Sequence, residues 1–323
     1  MNIKNMSKTG MKRLFKLFGV GIFIFILSKT DIPQIVHKFA GVKFSYILLA
    51  LPIFFLIILV KTWRWHLLLR VQEINLKIKD TCLILLASSY FGFLTPGRIG
   101  ESIKALYIMK KGYSFGTSFV SIFLERLLDI ITIFGLGYIS ILLFREKLEK
   151  HFIILGILFL ILAMLYAKRS LGKTLLHYMF KKMIPDKFKD SLISFYDDFL
   201  FGIRKLDIIN GVWVFILTIC SWLLYFELMH LLALSLEIKI SYLYVGTCVS
   251  ISALVAMIPV SIFGIGTRDA TLIILFSHIN LSKESAVSFS VMFLVIYLAN
   301  LTIGLLAWFK APLEMEEDRL KNV

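Results

Sequence analysis

Apolar residues along this chain come in blocks of helix length, separated by short polar stretches. Crossing the hydrocarbon core of a bilayer takes about 20 mainly apolar residues. Only helices and closed barrels satisfy their backbone groups there, and blocks of this length exclude a barrel. The pattern predicts an all-α polytopic membrane protein with about seven or eight spanning helices. The full-length candidates are residues 14–28, 44–62, 115–144, 151–167, 211–230, 241–258 and 285–309.

Two further apolar segments, residues 81–111 and 259–280, are interrupted by glycine, proline and charge. The first contains Leu94-Thr-Pro-Gly-Arg-Ile-Gly-Glu101, and the second contains Pro259-Val-Ser-Ile-Phe-Gly-Ile-Gly-Thr-Arg-Asp269. Because proline and glycine both interrupt helices, each segment is predicted to be a broken or re-entrant helix.

The composition agrees with a lipid environment, since 59% of residues are hydrophobic and only 18% are charged. No small-residue cleavage site follows the first apolar run, which we interpret as a retained signal anchor. The chain divides into a basic cytoplasmic arm (1–13), a transmembrane domain (14–309) and a short polar tail (310–323). The three cysteines and six histidines are scattered, so we expect no disulfide framework, metal site or cofactor.

Positive charge predicts the orientation, because lysine and arginine favour the cytoplasmic side of short loops. The basic clusters are the N-terminal arm, the segment Lys61 to Lys79 and the connection Lys168 to Lys205. All three face the cytoplasm if each interrupted segment makes an even number of passes. The less basic loops 29–43, 145–150 and 231–240 are then external, and the side of the C-terminus stays open.

The connector 168–208 is the one sizeable polar stretch, and it is too short to form a catalytic domain with its own core. Its apolar residues recur at helical spacing, which predicts an amphipathic helix. That helix either lies on the inner membrane surface or packs on the bundle as a simple connector.

A weak internal repeat relates the two halves of the chain. Ser118-Phe-Val-Ser-Ile-Phe-Leu124 follows the first interruption, and Ser288-Phe-Ser-Val-Met-Phe-Leu294 follows the second. Paired interruptions at corresponding places indicate a transporter's binding site near the membrane midplane, because broken helices expose backbone groups to a ligand.

Seven charged residues fall in apolar surroundings. If unpaired at the bilayer centre, they would together cost about 20 kcal/mol, so we expect them to be paired, hydrated or near the surface. Glu125 and Asp129 share one helical face and need a cation, for which Arg98 or Arg268 is the predicted partner, while Arg126 reaches Asp129 at i+3. The seven are Arg98, Glu101, Glu125, Arg126, Asp129, Arg268 and Asp269.

Half-helices beginning near Gly100 and Thr267 would present free backbone N–H groups inside the membrane. With an arginine beside each, such an end suits a phosphate, which arginine binds in a bidentate manner. The alternative is a structural ion-pair cluster that stabilises the bundle. Gly264-Ile-Gly266 does not form a dinucleotide fingerprint, and no P-loop is present, so nucleotide-driven energy input is not expected.

At these residues the chain resembles the lysylphosphatidylglycerol synthase transmembrane-region family, a flippase-like membrane domain. The resemblance covers roughly residues 14–309 and rests on Leu94 to Glu101, Glu125-Arg126-Leu-Leu-Asp129, and Pro259 to Asp269. Asp269 stands where the family usually has glutamate, and Thr95 replaces the more usual residue before Pro-Gly-Arg.

The resemblance implies the flipping half of a two-part system, in which a separate soluble domain synthesises an aminoacylated phospholipid. We therefore expect a flippase that moves an anionic or phosphate-bearing lipid across the cytoplasmic membrane, with no nucleic-acid partner. In this hypothesis Arg98 and Arg268 hold the head group, and carboxylates orient them or bind a coupling proton. The candidate binding residues are Arg98, Gly100, Glu101, Glu125, Arg126, Asp129, Gly264, Gly266, Arg268 and Asp269.

Two other functions stay open. Some stand-alone archaeal relatives have been linked to sugar transfer from polyprenyl phosphate. The main alternative is therefore a membrane-embedded transferase that acts on polyprenyl-phosphate or phospholipid substrates, with Glu125 or Asp129 as general base or metal ligand. The third hypothesis is a non-catalytic partner of a separately encoded lipid-modifying enzyme. The oligomeric state is open as well.

Overall fold

A computed structural model describes residues 22–143, 199, 201–257 and 264–311. The basic arm, the predicted span 151–167, most of the connector 168–208 and nearly all of the polar tail lie outside these residues. So do the loop 145–150, most of the predicted span 14–28 and the residues from Pro259 to Phe263.

The described part of the chain is helical and contains no strand, which confirms the all-α prediction. Residues 22–28 form the end of a helix, and a 3₁₀ segment, Pro96–Ser102, links α3 to α4. The helices are α1 (Ile32–Ala40), α2 (Phe44–Val71), α3 (Ile78–Leu94), α4 (Ile103–Met109), α5 (Phe115–Leu143), α6 (Ile208–Ser235), α7 (Tyr242–Met257), α8 (Thr267–His278) and α9 (Lys283–Lys310).

Helices α2, α6 and α9 are each 28 residues long and apolar enough to cross a bilayer, with mean hydropathies of 2.4, 1.9 and 2.2. Each also presents large apolar side chains at the protein surface, such as Leu59 and Leu298. Because lipid replaces water around such helices, exposed leucine is the expected surface there. The chain is therefore a polytopic membrane protein of the all-α class.

Helix α2 extends beyond its predicted end at residue 62 and continues to Val71. Lys61 and Arg64, predicted to lie in a cytoplasmic basic segment, are therefore on the spanning helix, and Arg64 is buried. The sequence interpretation was wrong here because it ended the helix at its first charge. The predicted external loop 29–43 also contains α1, whose N-cap Asp31 accepts a hydrogen bond from the Gln34 N–H at 3.3 Å.

The two ends of the bundle are tied by separate contacts. At one end, Lys43 lies 2.9 Å from Glu237. This hydrogen bond raises the pKa of Lys43 and holds the pKa of Glu237 below its usual value. At the other end, Gln72 donates to the Gly202 carbonyl at 2.8 Å, and Lys205 contacts Glu73 at 2.8 Å.

These contacts place loops 29–43 and 231–240 at one end of the bundle, and they place Gln72 and Glu73 beside Gly202 and Lys205 at the other end, as predicted for these residues. The end of the connector, at Phe199 and Ile203, packs on the bundle beside Leu68 and Val120. Which end faces the cytoplasm stays a prediction from charge.

The first predicted interruption is confirmed in the backbone. Helix α3 ends at Leu94, and the 3₁₀ segment and the seven-residue α4 complete the break. At the second, α8 begins at Thr267, as predicted. In both halves a short helix follows the break and a long helix follows that, although the internal repeat itself stays a prediction.

Candidate functional site

A buried four-charge network joins α2, α4 and α5. The Arg64 guanidinium donates from Nη1 to Asp129 Oδ1 at 2.6 Å and from Nη2 to Glu125 Oε1 at 2.8 Å. Lys104 Nζ donates to the other Glu125 oxygen at 2.7 Å. All four side chains are buried. Two cations therefore neutralise the two carboxylates that helical spacing places on one face of α5.

The predicted partners of these carboxylates, Arg98 and Arg268, were therefore wrong. Arg64 comes from α2, 61 positions before Glu125 and 65 before Asp129, and Lys104 comes from the preceding helix α4, 21 positions before Glu125. Asp129 also accepts from Trp222 Nε1 at 3.1 Å, and the Lys104 ammonium lies 4.9 Å from the centroid of the Trp65 ring. The two indoles thus supply one N–H donor and one cation–π contact to the network.

A second charged group forms around Glu101, in the 3₁₀ segment. Arg98 Nη2 lies 2.7 Å from Glu101 Oε1 without hydrogen-bond alignment, and Arg126 Nη2 contacts Oε2. The Glu101 side chain is 4% exposed, whereas Arg98 is 43% and Arg126 31% exposed. Arg126 thus pairs across to Glu101, and the predicted i+3 pairing with Asp129 was wrong.

Local backbone geometry brings Glu101 to this position. Arg98 has a left-handed backbone with φ 59°, a sparsely populated conformation for a residue with a side chain, and its guanidinium lies over the Phe93 ring. The Gly100 N–H donates to Thr95 Oγ1 at 2.6 Å. A Cβ on Gly100 would lie 2.2 Å from the Phe91 carbonyl oxygen, so the close approach requires glycine.

Two expectations about Gly100 are therefore corrected. Helix α4 begins at Ile103, three residues later than predicted, because the chain first forms a 3₁₀ turn. The Gly100 N–H, expected to be free for a ligand, is bonded to the Thr95 hydroxyl. Thr95, a departure from the family pattern, thus has a role in closing the turn.

The second break is built around Asp269. Gly264 and Gly266 have φ values of 72° and 84°, which favour glycine. Asp269 Oδ2 accepts from the Gly266 N–H at 2.7 Å, so this N–H is not free either. Arg268 Nε donates to Ser290 at 2.9 Å, and its Nη2 donates to Asp269 Oδ1 at 3.2 Å. The aspartate is long enough for both contacts despite replacing the usual glutamate.

A cavity of about 360 Å³ lies between the two breaks. Seven of the ten predicted site residues line it, whereas Gly100, Gly266 and Asp269 do not lie on the wall that the structure describes. On the wall that the structure describes, six cations and three carboxylates line the cavity, and counting Asp269 behind Arg268 leaves an excess of two positive charges among these residues. The cations are Lys61, Arg64, Arg98, Lys104, Arg126 and Arg268, and the carboxylates are Glu101, Glu125 and Asp129.

Much of the remaining wall is apolar, with contributions from Ile57, Leu86, Val249 and Phe293. The cavity thus combines a cationic region with hydrocarbon and aromatic surface, a composition that suits an amphiphile carrying negative charge. Within the described ranges, no group of three or more histidine, cysteine or acidic side chains is arranged to hold a metal ion.

Lys61, Arg64 and Lys104 were missed in the sequence analysis. One signal was available for the first two, because apolar residues continue at helical spacing through Leu68 and Leu69 after Lys61. A helix extended over that run would have placed Lys61 and Arg64 inside it. Lys104 carried no comparable signal, since it lies in the first turn of a short helix that follows a 3₁₀ turn.

Comparison with known proteins gives one family match and two relatives. The protein-family model described as "Lysylphosphatidylglycerol synthase TM region" matches residues 14–304 of this chain. The chain is 24% identical to UPF0104 membrane protein MJ1595 of Methanocaldococcus jannaschii, covering 99% of this chain and all of that protein. It is 25% identical to UPF0104 membrane protein PH1989 of Pyrococcus horikoshii, covering 86% of this chain and 90% of that protein.

Proposed function

The chain belongs to the lysylphosphatidylglycerol synthase TM region family, and on that premise we propose that it moves a phosphate-bearing lipid between the leaflets of the cytoplasmic membrane. The observation that carries this proposal is the excess of positive charge on the wall of a largely apolar cavity. Uncompensated positive charge in such a setting is costly, so a site of this kind favours an anionic head group over a neutral or cationic one.

Arg98 and Arg126 are the proposed head-group ligands. Both line the cavity, and both are partly exposed. Among the described residues they share a single carboxylate, that of Glu101, which neutralises only half of their charge. Two guanidinium groups on one side of a cavity suit phosphate oxygens, which arginine binds with paired N–H donors. Lys61 adds a third cation, and no carboxylate in the described ranges lies within 4 Å of its ammonium.

The remaining predicted residues have positioning roles in this proposal. Glu125 and Asp129 are neutralised by Arg64 and Lys104, so this network holds α2, α4 and α5 together around the site. Arg268 is 1% exposed and lies against Ser290 and Asp269, where it supports the second break. Direct head-group binding by Arg268 stays a prediction.

Lipid movement in reconstituted vesicles tests the proposal. Purified protein is incorporated into vesicles with fluorescent phosphatidylglycerol, phosphatidylethanolamine or a polyprenyl phosphate, and the fraction in each leaflet is followed. We expect faster movement of an anionic lipid. Arg98→Gln and Arg126→Gln should each slow it about tenfold or more, the loss typical of a charge-assisted hydrogen bond.

Arg70→Gln is the matched control, because Arg70 is an exposed arginine on α2 and does not line the cavity. Equal slowing by the control and the cavity variants would contradict the head-group role. Mass spectrometry of the same lipids tests the alternative function. A covalently altered lipid would support the transferase hypothesis over the proposed flippase.

A further inference from the structure

Glu101 is a buried carboxylate whose two cationic partners are the proposed ligands of another anion. The Glu101 side chain is 4% exposed, and Arg98 and Arg126 contact its two oxygens. An arriving phosphate would compete with this carboxylate for the same guanidinium groups. The outcome of that competition determines what happens to the charge on Glu101.

The other cavity carboxylates are in a different situation. Glu125 and Asp129 are held by Arg64 and Lys104, which also line the cavity but are only 1% and 2% exposed. A ligand in the cavity therefore reaches the partners of Glu101 more readily than those of Glu125 or Asp129. Of these three carboxylates, Glu101 is therefore the one that an anionic ligand can most readily deprive of its cationic partners.

Glu101 has little room to follow its partners or to turn towards water. Its Cγ lies 2.3 Å from where a Cβ on Gly92 would be, so the side chain packs directly on the α3 backbone. If Arg98 and Arg126 turn to a ligand, the carboxylate stays buried without a cation. A buried carboxylate in that position binds a proton, because desolvation disfavours the charged form.

We propose that Glu101 is a proton-binding site, filled when an anionic head group takes over Arg98 and Arg126. This inference rests on the proposed function, since it assumes that the cavity binds such a head group. One O–H bond forms at a Glu101 oxygen as a bond to hydrogen breaks in a hydronium ion or a buffer acid in the solvent, which is left as water or as the conjugate base of the buffer. Because a singly charged phosphodiester enters together with one proton, the net charge of the cavity does not change.

Other titratable or charged groups lie around Glu101. The uptake of one proton per bound phosphodiester requires that none of these groups gains or loses a proton when the lipid binds. Within the described ranges, the residues of α3 and α7 on the cavity wall include no titratable or charged side chain. The others are Lys61 and Arg64 from α2, Lys104 from α4, Glu125 and Asp129 from α5, Tyr225 from α6, Arg268 from α8 and Tyr297 from α9. The carboxylates among them are already paired, which leaves Glu101 as the group whose pairing changes.

The consequence is that lipid binding and proton binding favour each other. Where one proton is taken up per lipid, the apparent affinity for the head group falls by up to about tenfold for each unit of increase in pH. A proton gradient would then bias the direction of lipid movement, since each loaded site carries a proton with its lipid.

The test is isothermal titration calorimetry on the full-length protein in detergent, with dihexanoyl phosphatidylglycerol as the probe. Its phosphodiester stays singly charged near neutral pH, so any proton taken up is bound by the protein. Titrations at one pH in buffers of different ionisation enthalpy give the number of protons per bound lipid. We expect about one for the unmodified protein and for Glu101→Asp, and none for Glu101→Gln.

Glu284→Gln is the matched control, because Glu284 is a buried glutamate that does not line the cavity. It should leave the proton count at about one. Probe binding without proton uptake by the unmodified protein would overturn this inference and leave the proposed function standing, whether or not Glu101→Gln folds. Uptake that persists in folded Glu101→Gln would do the same. Failure of the unmodified protein to bind the probe would overturn the proposed function and this inference with it.

Discussion

The Arg64 guanidinium donates to both oxygens of the Asp129 carboxylate, from Nη1 to Oδ1 at 2.6 Å and from Nη2 to Oδ2 at 3.3 Å. The two residues are 65 positions apart and lie on α2 and α5. Arg64 also reaches Glu125 and Thr218, so one buried side chain links α2, α5 and α6. Such a pair is costly to break, because the remaining charge has no solvent to stabilise it.

Arg64→Met is therefore expected to lower the free energy of unfolding by about 3–5 kcal/mol, as for other broken buried pairs. The double change with Asp129→Asn should recover much of the loss, since it removes the stranded charge. Thermal unfolding in detergent measures both. Arg70→Met, an exposed position on the same helix, is the control. Equal unfolding temperatures for Arg64→Met and Arg70→Met would show that the network is not structural.

Substitutions of Arg268 distinguish a structural role of this residue from direct binding of the head group. Arg268→Ala should strand Asp269 and cost about 3–5 kcal/mol, and Arg268→Ala with Asp269→Asn should restore stability. Arg268→Lys keeps the charge but loses the fork that serves Ser290 and Asp269 together. Thermal stability and lipid movement are measured on all three. Stability that is restored in the double variant, with Arg268→Lys fully active, would rule out direct head-group binding.

Gly92→Ala is expected to disturb the Glu101 group, because the added Cβ would lie 2.3 Å from the Glu101 Cγ. Overpacking of this kind costs about 1–3 kcal/mol, and displacement of Glu101 should also slow lipid movement. Gly135→Ala is the matched control, since a Cβ there meets no atom of the described residues within 4 Å. It should be neutral or stabilising by up to about 1 kcal/mol. Similar results for both variants would contradict the proposed packing of Glu101.

Orientation in the membrane can be measured by labelling single cysteines. On a background without Cys82, Cys220 and Cys248, an impermeant thiol reagent applied to sealed cells should label Lys239→Cys and spare Lys77→Cys. Both positions are exposed, and they lie at opposite ends of the bundle. The expectation comes from the excess of lysine and arginine at the end that carries Lys77. Labelling of Lys77→Cys alone would invert the predicted topology.

Some of the charged site was predictable because its geometry is local. Glu125 and Asp129 are four residues apart, so any helix places them on one face. The break before Arg98 and the start of α8 at Thr267 follow from local effects, because proline restricts its own φ angle and glycine permits a positive φ. The family resemblance also rests on these short motifs, and the match over residues 14–304 confirmed it.

The fold class and most of the helices follow from the amino-acid sequence, because the bilayer requires each spanning segment to satisfy its own backbone and to be apolar along its length. The sequence also shows which carboxylates need cations. The identity of those cations depends on the tertiary structure. Arg64 reaches Asp129, and Arg126 turns from Asp129 to Glu101, because ion pairing in a membrane protein depends on how separate helices pack and rotate against one another. No local spacing along the chain encodes that arrangement.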